Sequence, residues 1–147
     1  MRKLVSILLF LAMLLPFATQ AQTATPATLP YSCNFEDDTE NANWTFVNGA
    51  ATNKFFIGTA DNNGGAKSLY VSNSTDGSTA GYSNSNTSFT YAYREITVTS
   101  SSFTFSFDWK CSGDVSSYSV YDFGRVFLTP ANATFEECDG SHYAAPT

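Results

Sequence analysis

The chain has 147 residues and a formal net charge of −6 at pH 7, with 13 acidic against 7 basic side chains. That length fits one ordinary domain, and the acidic balance repels phosphate backbones, which excludes nucleic acid as a partner. Aromatic residues are abundant, with 13 Phe, 8 Tyr and 2 Trp.

The N-terminus carries Arg2 and Lys3, an apolar run from Leu4 to Phe17 and the small-residue stretch "ATQAQ". This is the pattern of a secretory signal peptide, too short and wrongly flanked for a membrane span. The expected domain organisation is therefore a signal peptide over 1–21, a flexible Pro-punctuated leader over 22–30 and a single module over 31–147. Cleavage would remove two positive charges and leave the exported chain at −8. No later stretch is long and apolar enough to span a bilayer. The expected location is extracellular or at the cell surface.

Past the leader, the apolar residues alternate and almost nothing carries a helical period. The spacing predicts strands at about 33–36, 44–48, 54–58, 68–72, 91–98, 103–110 and 120–128. The clearest is "SSFTFSFDWKC", which sets Phe103, Phe105, Phe107 and Trp109 on one face and Thr104, Ser106, Asp108 and Lys110 on the other. Such a stripe reads as core. The intervening "ADNNGGAK", "NSTDGSTAG", "SNSNTS" and "SGDVSS" are rich in residues that accept turn dihedrals, and the tract 73–88 reads as a long polar connection. Seven short strands without helices point to an all-β, two-sheet antiparallel sandwich.

Cys33, Cys111 and Cys138 allow one disulfide in three possible pairings and leave one thiol over. No two lie close enough in sequence for a zinc site, and the only histidine, His142, sits in an irregular tail. Without a partnered histidine or a Gly-x-Ser-x-Gly turn, nucleophilic catalysis has no constellation here. "NNGG" at 62–65 lacks the following helix and lysine of a phosphate loop and reads as a turn between strands.

"NFEDDTENANW", residues 34–44, gathers Glu36, Asp37, Asp38 and Glu40 before Trp44. Calcium takes six to eight oxygens from carboxylates and carbonyls, and this cluster offers several, Glu36 and Asp38 among them. Its spacing fails the EF-hand pattern, so any ion site needs a second, distant strand. Trp44 is expected to be buried behind this loop. A glycosidase pair needs carboxylates facing each other across the sugar; neighbours in one loop rarely do, and Glu36 with Asp108 or Glu95 is the pairing left to a glycoside hydrolase, the least favoured reading. Arg94 and Glu95, which interrupt the apolar run "YAYREI", are expected to pair with the acidic loop or with opposite-facing charges in a partly buried ion pair. Tyr82, Tyr118 and Tyr121 lie in or near polar loops, where binding residues of sandwiches tend to sit, and are the candidate contacts for a glycan or protein.

In order, "LPYSCNFEDD…NW", "NKFFIGTADNNGGAKSLYVSN", "YAYREITV", "FTFSFDWKCSG" and "YDFGRVFLTP" resemble the cleaved-adhesin, or choice-of-anchor J, domains of exported Bacteroidetes proteins, themselves similar to MAM domains. The resemblance runs from Leu29 to about Pro130. It implies a jelly-roll-type antiparallel β-sandwich, noncatalytic and adhesin-like. Such modules are displayed on or released from the cell, and they contact a host or neighbouring-cell protein or glycan or serve as an accessory to a larger exported protein such as a protease. It also implies a structural Ca²⁺ near the first strand, with Glu36 as the carried-over ligand and Asp108 as a second. The family pattern continues past "RVFLTP" into further strands. The tail "ECDGSHYAAPT" does not read as one, which leaves a fragment or a shortened variant as the alternatives.

Overall fold

A computed structural model describes residues 23–85, 87–113, 117 and 121–135. Cys138, His142, Tyr118 and the start of the strand expected at 120–128 lie outside the described residues. Those described form a small all-β structure with one turn of helix: β1 (Ala27–Thr28), α1 (Asp38–Asn41), β2 (Thr45–Val47), β3 (Lys54–Gly58), β4 (Ser68–Ser72), β5 (Tyr91–Tyr93) and β6 (Ile96–Thr97).

The strands pair two by two. β3 and β4 form an antiparallel hairpin with Lys54 opposite Ser72 and Gly58 opposite Ser68. β2 and β5 are antiparallel, with Thr45 opposite Tyr93. β1 lies parallel to β6. Asparagine side chains tie these ladders together by imitating backbone. Asn48, just past β2, accepts from Phe55 N at 2.7 Å and donates to Phe55 O at 3.1 Å, while Thr90 Oγ1 donates to the same Asn48 oxygen. Asn53 does the same for the polar connection between β4 and β5, donating to Ser83 O and accepting from Ser83 N. That connection also folds back under the hairpin, where Tyr70 Oη donates to Gly77 O at 2.6 Å.

Four expectations are corrected. The leader is not a free arm over its whole length: Ala27 N donates to Glu95 O, and Thr25 N donates to Asn43 Oδ1. The strand expected at 33–36 is broken by Phe35, whose φ of 65° is left-handed. The run 91–98 divides in two, because β5 pairs with β2 whereas β6 pairs with β1, and the switch falls at Arg94 and Glu95. Most consequential, residues 103–110 and 121–128 join no ladder among the described residues, and the aromatic stripe is no core. Phe105 and Phe107 are each 52% exposed and Trp109 is 72% exposed. Alternation specifies which side chains share a face; burial further requires a second layer over that face, and none of the described residues forms a strand layer over it. Among the described residues Ser72 is fully buried and no apolar side chain is.

Candidate functional site

The acidic segment is held by local geometry before it meets anything distant. Asp37 caps α1, its carboxylate accepting from Thr39 N at 2.8 Å. Asn41 Nδ2 donates to Phe35 O at 2.7 Å. The left-handed Phe35 backbone, a conformation uncommon for a bulky side chain, turns the ring onto Trp44, centroid to centroid 5.4 Å. Trp44 is half-buried with its indole nitrogen fully enclosed, close to the expectation.

Two groups of polar contacts radiate from this turn. In the first, Glu36 Oε1 accepts from Ala66 N at 2.7 Å and from Lys67 N at 3.0 Å. A Cβ at Gly65 would fall 2.2 Å from that oxygen, so glycine is what lets the β3–β4 loop approach the carboxylate. Asp38 pairs with Lys67 Nζ, and this cation holds its carboxyl below the usual range. The same loop takes the third predicted acid: Asn63 Nδ2 donates to Asp108 Oδ2 at 3.3 Å, and Asp61 pairs with Lys110. Glu36, Asp38 and Asp108 are thus all attached to residues 61–67, the first two sharing Lys67 and the third through Asn63. Their oxygens suit a hard cation. Among the described residues, no three Asp, Glu, His or Cys side chains gather into a ligand cluster.

The second group is the one Arg94 signals from sequence. Its Nε donates to Glu40 Oε1 at 2.7 Å and its Nη2 to Glu40 Oε2 at 3.2 Å, a two-pronged pair. Nη1 donates to Thr25 O at 2.6 Å and Glu95 O at 3.1 Å. Tyr31 Oη donates to Glu40 Oε1 at 2.7 Å, and Arg94 stands over the Tyr31 ring. The guanidinium holds the Glu40 carboxyl below its ordinary value. Burial, and then the bond to Glu40, push the Tyr31 phenol well above its own.

Of the predicted contact residues, Tyr121 is 62% and Tyr82 38% exposed, both outside the ladders. Cys33 and Cys111 are free thiols. No helix among the described residues is long and apolar enough to cross a membrane. Sequence reasoning named Glu36 and Asp108 but not the loop between them; consecutive glycines at 64 and 65 were the available sign of a close backbone approach. The chain matches no protein-family model, no curated protein and no solved structure.

Proposed function

We propose that the chain is a noncatalytic, secreted or surface-displayed binding module of the cleaved-adhesin type. Its architecture in this reading is a jelly-roll sandwich, and its loops contact a glycan or protein on a host or neighbouring cell. The observation that carries the reading is the placement of Tyr121 and Tyr82 on segments outside the ladders, with Tyr121 mostly in solvent. An exposed phenol offers a flat apolar face for a sugar or side chain and a hydroxyl for a hydrogen bond. On a glycan array the purified chain should give a reproducible set of positives that Tyr121→Ala reduces at least tenfold. Uniform silence, with and without calcium, sinks the glycan form of the reading.

A second reading is favoured by the convergence of Glu36, Asp38 and Asp108 on one loop: an accessory domain of a larger exported protein, stabilised by Ca²⁺. Here Glu36 and Asp108 would hold the ion with loop oxygens, and the ion would stiffen the hairpin without chemistry of its own. A ligand bound only by the native state raises stability by mass action. Millimolar Ca²⁺ should therefore raise the thermal midpoint over EDTA in the wild type and leave Glu36→Gln unmoved. A wild-type midpoint equal in both buffers removes the ion.

A further inference from the structure

We infer that Asn63 is a site of self-modification, at which the backbone nitrogen of Gly64 displaces the side-chain amide and water then leaves aspartate or isoaspartate in its place. The sequence holds the Asn-Gly pair twice, at 48–49 and at 63–64. In such a pair the second residue has no Cβ to hold its nitrogen away from the asparagine side chain, so both are chemically competent. The structure separates them.

Asn48 is locked. Its Oδ1 accepts from Phe55 N and from Thr90 Oγ1, each at 2.7 Å, and its Nδ2 donates to Phe55 O at 3.1 Å. Turning this amide towards Gly49 would break every one of these contacts, two of them to β3. Asn63 is exposed in the β3–β4 loop, and its side chain is held among the described residues by a single contact, Nδ2 to Asp108 Oδ2 at 3.3 Å. The Gly64 N–H donates to no described group, and a Cβ on Gly64 would meet nothing within 4 Å. The nucleophile is therefore free, and the cyclic imide has room to form.

The step balances with water as the sole co-reactant. The Gly64 nitrogen bonds to Asn63 Cγ as the Cγ–Nδ2 bond breaks, and the proton lost from Gly64 leaves with Nδ2 as ammonia. Water opens the imide at either carbonyl. Opening at Cγ gives aspartate; opening at the backbone carbonyl routes the chain through the former side chain and gives isoaspartate. Either product puts a carboxylate where a neutral N–H group faced Asp108, in a loop that already carries Asp61. A hydrogen bond becomes a like-charge contact, and the Asp61–Lys110 pair is left as the described polar tether between this loop and residues 108–110.

The purified chain, incubated at neutral pH and body temperature, is read by peptide mass and fragmentation. Asn63 should convert at least about tenfold faster than Asn48, because a side chain held by several hydrogen bonds reacts only after local opening. In urea the two rates should converge. Gly64→Ala should slow conversion of Asn63 at least about tenfold by crowding the attacking nitrogen, and isoaspartyl methyltransferase should label the aged wild type but not this variant. If Gly64→Ala does not fold, the wild-type comparison between buffer and urea still decides. Equal conversion of Asn48 and Asn63 in the folded chain, or an Asn63 rate no higher than that of the exposed Asn73, would overturn the proposal. So would a preference for Asn63 that persists in urea, where the fold no longer selects, or aspartate formed without isoaspartate, the mark of direct hydrolysis.

Discussion

Arg94→Ala should lower the thermal midpoint by about 10–20 °C, the shift that a loss near 3 kcal/mol produces in a domain of this size. The side chain is 4% exposed and serves both Glu40 oxygens and the carbonyls of Thr25 and Glu95. Removing one member of a buried ion pair costs about 3–5 kcal/mol, because the other charge stays behind unpaired. Glu40 keeps a quarter of its side chain in solvent, which places the cost at the lower end. With no fully buried apolar side chain among the described residues, little else compensates. Arg94→Lys keeps the charge but loses the fork and should fall between. Melting of Arg94→Ala within 3 °C of wild type would remove the network from the account of stability.

The same triad sets the pH window. Glu40 has its folded value lowered, chiefly by Arg94; its contribution is present above the unfolded carboxylate value of about 4.3 and lost as pH falls through the lower folded value. Tyr31 has its folded value raised; its contribution is present below the unfolded phenol value of about 10 and lost as pH rises through the higher folded value. Thermal midpoints should form a plateau between these edges. Tyr31→Phe should erase the alkaline edge and leave the acid one.

The second large effect is at Gly77. Its φ is +70°, its carbonyl accepts from Tyr70 Oη, and a Cβ there would fall 2.7 Å from the Phe56 ring. Gly77→Ala combines a left-handed backbone cost of about 1–2 kcal/mol with displacement of a ring that stacks on Tyr70. A total of about 3 kcal/mol is expected, read from urea unfolding. Gly64→Ala is the internal control. It shares the positive φ but has nothing within 4 Å, so it should cost about 1 kcal/mol. Equal losses at both positions would mean that the Phe56 contact contributes nothing.

The β3–β4 hairpin was legible to the residue, because two apolar runs flank a loop whose Asp, Asn and Gly residues can only turn. Arg94 was legible too: a guanidinium inside an apolar run must find an acid, and the sequence has one dense acidic segment. The pairing of β1 was not, since two residues carry no period and its partner is supplied by tertiary contact. Residues 103–110 show a different limit. Their alternation was read as core because a one-sided stripe is usually covered, yet cover is a property of other segments. At the site, side-chain identity marked Glu36, but its partners are backbone N–H groups, which every residue except proline carries and no motif reveals.

The pairing of β1 with β6 also fixes an order of events. Arg94 and Thr25 are 69 residues apart, so although Thr25 can meet Asn43 earlier, β1 has no ladder to join until β6 has emerged. Contacts this distant in sequence form late and slowly. Residues 27 and 28 therefore complete their pairing only when the far side of the module exists to receive them.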